Sequence, residues 1–353
     1  MLFLSEAEKK LWSRLGEDVL KTASSPKQFD AQLRPNLRPA FRFFAGALLA
    51  SHGQSPRAMD WFQIGAREED ELLCMNAFMV SFLQRQNGRF AMPAVAFADP
   101  RPFVHFAGMP QIKSAREAFV KQMGHSLPVF DRPLKFMDIG TGNGALAVML
   151  LQHLVAIGKA REIEEILLID ASPAMIELAR KTVGDAFPPG LIKTLNNRIE
   201  NVSAGIEGHY DVALTSLAYH HMPWETKMLH LKKLSSRLDH LLIFELDANH
   251  DSPELNTPEL ALSVYQSYGR IIDFVFAHDA AVEVAVATVD CFLMTEAVSL
   301  LTQPRGERTE YHMLRNQWHE LCQKSLGPAF TCQCEGVCYA DEYMDLFSLH
   351  YGK

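Results

Sequence analysis

The chain predicts an α/β protein built on a mostly parallel sheet with flanking helices. Three observations predict it. Short apolar runs alternate with helical patterns between Leu134 and Glu245. A glycine-rich turn joins the first run to its helix. The second run ends in an acid, Asp170, just ahead of another helix. Strands separated by helices pair in parallel and hold ligands at their carboxyl ends.

Leu134 to Met137 reads as a buried strand, and Ala145 to Leu151 as the helix after it. Between them stands Asp138-Ile-Gly140-Thr141-Gly142-Asn143-Gly144. Glycine at every second position removes side chains where the backbone passes close to a ligand. The dinucleotide fingerprint is G-x-G-x-x-G, so the third glycine here comes one residue early. A carboxylate at Asp138 suits a cationic ligand better than a pyrophosphate. Glu165 to Ile169 forms the second strand, and Ser172 with Pro173 starts a helix whose apolar face is Met175, Ile176, Ala179 and Val183. An acid where Asp170 stands grips ribose hydroxyls in βαβ nucleotide sites, and it also serves as a plain helix cap. Leu191 to Leu195, Tyr210 to Ser216 and His240 to Glu245 complete five strands.

Before this region the pattern is helical. Ser5 and Glu8 form a capping box ahead of Leu11, Trp12, Leu15 and Val19. Further helices are expected over Leu37–Ala50, Pro56–Phe62 and Arg67–Arg85, the last with Glu68, Glu69 and Asp70 in an acidic first turn. Asn87-Gly88 reads as a tight turn opening a small hairpin through Pro93. Helices followed by a hairpin give the order of a winged helix; an unrelated helical cap is the other reading. Residues 252–302 are helical and unusually apolar, which fits a larger core, a dimer seam or a lid over an apolar or aromatic acceptor. The expected division is 1–105 as a helical, winged-helix-like dimerisation domain and 106–353 as the ligand-binding domain, with 252–302 as a helical insertion over the substrate.

The 353 residues are 48% hydrophobic and carry a net charge of −8, enough for two domains with a real core. No run of Lys or Arg tracks a phosphate backbone, so nucleic acid is disfavoured as a partner. The first residues lack a signal-length apolar core. Ala281 to Leu301 carries Glu283, Asp290 and Glu296, so it reads as a helix buried in protein, not a membrane span. Six scattered cysteines fit a reducing cytoplasm. Cys332, Cys334 and Cys338 share strand parity, but no fourth ligand follows at zinc spacing. Gly336 marks a bulge or turn there, and the thiols read as small packed residues, so no metal is expected.

The glycine loop with its leading Asp resembles motif I of class I S-adenosylmethionine-dependent methyltransferases. The helical region before it, and Gly306-Glu-Arg308-Thr309 followed by Trp318 and Leu321, look like the dimeric small-molecule O-methyltransferases. That resemblance implies a Rossmann-like seven-stranded sheet, a winged-helix dimerisation region and a homodimer. The implied cofactor is S-adenosylmethionine. Asp138, Gly140, Thr141, Gly142, Asn143 and Gly144 would surround its amino-acid end. Asp170 would accept from both ribose hydroxyls, with Ala171, Ser216 and Leu217 beside the ligand. Asn197 stands where the family carries an acid for the adenine amino group. Methyl transfer needs alignment first, and a hydroxyl acceptor also needs a base. By register His220 takes the base position, His221 replaces the family's Asp, and Glu245 would hold the imidazole; which His acts stays open. The acceptor is expected to be small and aromatic or apolar, with oxygen favoured. Carbon or nitrogen methylation, a non-methylating reaction on the same fold, and an inactive regulatory protein are the alternatives.

Overall fold

The computed structural model describes residues 1–93, 100–202 and 206–353. Helices α1 (Glu6–Lys21), α2 (Arg38–Ser51), α3 (Ser55–Glu68) and α4 (Met75–Arg85) come first, then α5 (Pro100–Gly108) and α6 (Pro110–Ser126). The alternating region follows: β1 (Leu134–Ile139), α7 (Ala145–Ala156), β2 (Ile163–Asp170), α8 (Pro173–Gly184), β3 (Ile192–Asn196), α9 (Ile199–Val202), β4 (Tyr210–Ser216), α10 (Trp224–Leu234) and β5 (Leu238–Leu246). Then come α11 (Pro258–Ala277), α12 (Val282–Thr288), α13 (Met294–Thr302), α14 (Arg315–Leu326), β6 (Thr331–Ala340) and β7 (Asp345–Gly352).

The seven strands form one sheet in the order β3-β2-β1-β4-β5-β7-β6. The first five run parallel, and β7 closes antiparallel on β5. β1 and β4 are adjacent while the chain winds outward from each, so the crevice for a ligand opens at their carboxyl ends. β4 is buried at every position but its last, as a strand covered on both faces must be. β3 lies at the edge and is mostly exposed.

The chain divides into two compact units. One holds the sheet: Phe97–Asp247, His312–Ala340 and Asp345–Lys353. The other is helical and takes Met1–Ala96, Ala248–Tyr311 and Asp341–Met344. Its core is aromatic: Trp12 meets Phe41 and Phe44, Phe41 meets Trp61, and Phe43 of α2 packs on Tyr265 of α11. The segment 252–302, expected as cover carried by the sheet domain, is thus compact with the first 96 residues. Val282–Thr302 is long and apolar enough to cross a membrane by length and composition, and 61% of that window is buried within the protein. Two of its three acids are used inside the helical unit: Asp290 pairs with Arg85, and Glu296 accepts from the Tyr268 hydroxyl.

Two local expectations differ from what forms. The helix expected over Arg67–Arg85 is two helices, α3 ending at Glu68 and α4 starting at Met75. The acids do not fill a first turn. Glu69 instead reaches forward and accepts from the backbone N–H groups of Asn76 and Ala77, capping α4. The wing is also absent: among the described residues no strand precedes Leu134. Asn87 (φ 53°) and Gly88 (φ 76°) are left-handed, and Gly88 N–H returns to the Leu83 carbonyl. This pair ends α4 as a C-cap and opens no hairpin.

Away from the crevice, His350 is fully buried between the Ser126 hydroxyl (2.8 Å) and His240 (3.0 Å). Burial holds its pKa down to about 3. A folded-state pKa below the unfolded 6.5 gives stability that is full above pH 6.5 and lost as pH falls toward 3. One such group contributes up to about 1.4 kcal/mol per pH unit. Buried Asp138 and half-buried Glu69, both pushed up to about 7, act in the opposite sense over the same range. The difference between wild type and His350→Gln therefore isolates the histidine. Urea unfolding at pH 7 and pH 5 should show the variant losing less stability on acidification, and identical losses would show that His350 does not stay neutral.

Candidate active site

The glycine loop leaves β1 at its carboxyl end. Gly140, Gly142 and Gly144 all have positive φ, 70°, 53° and 74°, conformations that side chains disfavour. A Cβ on Gly140 would lie 2.3 Å from the Ala218 Cβ, and one on Gly142 2.8 Å from the Phe103 ring. The loop is a cradle that only glycine fits. Asp138 is buried, and its carboxylate accepts from the Thr141 hydroxyl at 2.7 Å. Burial pushes its pKa up to about 7, against the pull of that bond and of Arg116. Such a carboxylate is poised for a cationic ligand, which would restore its charge.

Asp170 closes the other side. Its Oδ2 accepts from the Gly142 N–H at 3.0 Å and its Oδ1 from the Ser172 N–H at 2.9 Å. The Ala171 N–H adds a third bond, and burial still leaves the pKa raised. The carboxylate therefore ties the glycine loop to the start of α8, and a carboxylate has room for further donors. Asn143 accepts from the Ala145 N–H at 3.2 Å. Asn197 uses its amide oxygen on the Arg198 N–H and the Asn201 amide, at the exposed end of β3.

Past Ser216 the backbone turns sharply. Leu217 has φ 48°, a strained value for a branched side chain. Its N–H bonds the Phe244 carbonyl at 2.9 Å. The turn aims the Ala218 N–H at Glu245 Oε1, 3.1 Å away, and leads into a single helical turn, Tyr219–His221. His220 Nδ1 lies 3.0 Å from Glu245 Oε2, with both side chains almost wholly buried. Desolvation raises the Glu245 pKa, opposed first by the charge of buried Lys227. Lys227 sits 5.4 Å above the Trp318 ring. His221 is exposed, and its ring packs edge-on to His220 with centroids 4.3 Å apart.

Two further residues join the site with no warning in the sequence. His312 stacks on His220 with ring centroids 4.0 Å apart, and its Nδ1 lies 3.9 Å from the same Glu245 oxygen. Arg116, on α6, is buried and interacts electrostatically with Asp138. Neither belongs to a local pattern; tertiary structure alone brings them in. The three candidate thiols separate instead. The pairing of β6 with β7 shifts register between Cys332 and Cys334 and again between Val337 and Tyr339, on either side of Gly336. Cys332 is exposed, while Cys338 is buried against Gln122.

Residues 136–240 match the family model described as "Methyltransferase domain". No curated protein matches the chain in sequence. Among solved structures, SCL7 of Oryza sativa is similar at 12% identity over 86% of this chain and 99% of that one, with a TM-score of 0.58, a likeness of fold. Magnesium protoporphyrin IX methyltransferase of Synechocystis PCC 6803, solved with bound SAH, aligns at 14% identity over 79% of this chain and 96% of that one, with a TM-score of 0.40. An O-methyltransferase family protein from Burkholderia thailandensis aligns at 16% identity over 69% and 63% of the two chains, with a TM-score of 0.39. The family match covers the loop, the acid that ends β2 and the His220 turn just described. Residues 136–240 lie in a class I methyltransferase domain, and its cofactor is S-adenosylmethionine.

Proposed function

We propose that this protein transfers the methyl group of S-adenosylmethionine to a hydroxyl oxygen of a small aromatic or apolar molecule, with His220 as general base. The observation that carries this reading is the buried His220–Glu245 pair at 3.0 Å, set at the carboxyl end of β4 beside the glycine loop. When bound, the cofactor supplies an electrophilic methyl group on a sulfonium. The glycine loop, Asp138 and Asp170 would hold its amino-acid and ribose ends. Glu245, fixed by the Ala218 N–H, accepts from His220 Nδ1–H and so selects one imidazole tautomer. In that tautomer Nε2 carries the lone pair, and it is the atom that would take the acceptor's proton as the methyl group transfers. The strained turn at Leu217 would hold the imidazole at the carboxyl end of β4.

Incubation with S-adenosylmethionine and a panel of phenols and aliphatic alcohols tests the proposal. Formation of S-adenosylhomocysteine with the new methyl on oxygen, located by NMR, is the expected result. A methyl on carbon or nitrogen would overturn the choice of acceptor. Binding without turnover across acceptor classes would favour a regulatory role. We also propose a homodimer, with the first hundred residues at its seam. Light scattering should give twice the 39.7 kDa chain mass, and a monomer at micromolar concentration would contradict it.

A further inference from the structure

Glu245 holds one edge of the His220 imidazole and leaves the plane of the ring open. A single hydrogen bond defines a line, and a ring can tilt about that line without losing the bond. The missing constraint comes from His312. Its ring lies face to face with His220, with centroids 4.0 Å apart and planes 26° from parallel. Its Nδ1 stands 3.9 Å from Glu245 Oε2, beyond hydrogen-bond reach, so what His312 offers His220 is a ring face. Both histidines are buried, each 5% exposed.

The segment that carries His312 is pinned to the strand that carries Glu245. Asp247 follows β5, two residues after Glu245, and its Oδ1 accepts from the Arg315 N–H at 2.9 Å, at the start of α14. The Arg315 guanidinium lies over the Phe347 ring of β7, and Phe347 is the register partner of Glu245. Met313 is buried in one core cluster with Tyr219, Met222 and Trp318. The end of β5 thus fixes the carboxylate directly and the His312 segment through Arg315.

We infer that His312 is a positioning residue for the proposed reaction: its ring face sets the plane of the His220 imidazole and supports the imidazolium that forms when the acceptor's proton arrives. The inference rests on His220 as the base. In the step itself the proton leaves the acceptor hydroxyl for His220 Nε2, Nδ1–H keeps its bond to Glu245, and His312 gains and loses no proton. An aromatic face carries negative charge density, so it holds a cation more strongly than a neutral ring. The support therefore grows as His220 takes its proton, and its loss belongs to kcat and not to cofactor binding.

Ring and non-ring replacements of His312 test it, with S-adenosylmethionine and the phenol of the panel that turns over fastest. His312→Leu fills the space without a flat face. It should lower kcat about threefold to thirtyfold while calorimetric affinity for S-adenosylmethionine stays within about twofold. His312→Phe restores a face without ring nitrogens and should bring kcat back to within about threefold of wild type. In a His220→Gln background, His312→Leu should cost less than about twofold, because a residue that acts through His220 has nothing left to act on. Equal losses in both backgrounds, a Phe variant as slow as the Leu variant, or a matching loss of cofactor affinity would each overturn the inference. His312→Met replaces the Leu variant if that one does not fold. Nitrogen NMR of histidine-labelled protein reads the same constraint without an acceptor, the His220 signal being the one missing from His220→Gln. Wild type and His312→Phe should show His220 as a single Nδ1–H tautomer and His312→Leu as a mixture; one tautomer in all of them would overturn the inference. Full turnover by His220→Gln would strike the base assignment itself.

Discussion

His220→Gln should lower kcat by about 10²–10⁴-fold while calorimetric affinity for S-adenosylmethionine stays near wild type. Glutamine can still donate to Glu245 from its amide, so the carboxylate keeps a partner and the fold is little disturbed. It cannot accept a proton. The variant therefore removes the base and little else, and the loss belongs to kcat, not to cofactor binding. His221→Gln is the paired measurement. His221 is exposed, whereas the His220 ring is buried with its Nδ1 3.0 Å from Glu245, so loss of His221 should cost much less. A larger loss at His221 than at His220 would reverse the two roles. Full turnover in both single variants and in the double variant would exclude base catalysis by this pair and move carbon or pre-ionised acceptors forward.

Asp170→Ala should raise the dissociation constant for S-adenosylmethionine about tenfold to a hundredfold or more, since hydrogen bonds to a charged acceptor contribute about 1.5–3 kcal/mol each. The structure supplies a second reason for a large effect. The same carboxylate anchors the Gly142 N–H, so its loss frees the loop as well as the ribose contact. Asp170→Asn keeps one acceptor oxygen and should lose less. Calorimetry with S-adenosylmethionine and with NAD reads both affinity and cofactor choice. Tight binding of NAD with none of S-adenosylmethionine would contradict the assignment.

Much of this was legible where the signal is local. The Ser5–Glu8 capping box forms as the spacing predicts, as do the five parallel strands and the Ser172 cap on α8. The cofactor loop was legible because glycine at a positive φ leaves a trace in the sequence that no neighbour can erase. Glu69 was misread because acids at a helix start look alike, whether they open their own helix or reach across a loop to cap the next. Asn87-Gly88 was misread for a kindred reason: left-handed residues serve hairpin turns and helix ends equally. Arg116 and His312 were silent. Each lies far along the chain from the residue it joins, Asp138 or His220, and its importance comes from packing alone.

The helical unit is assembled from pieces of chain that are made at different times. Phe43 of α2 waits for Tyr265 of α11, and about 150 residues separate the end of the first piece from the start of the second. At a ribosomal pace of about 5–20 residues per second, that is roughly eight to thirty seconds of synthesis. During that interval the aromatic face of α2 has emerged and its cover has not been made, while the intervening sheet strands are being threaded out. The first hundred residues are therefore a ready client for chaperones that hold apolar helices, and fragments that stop before Pro258 should be cleared in the cell sooner than the finished protein.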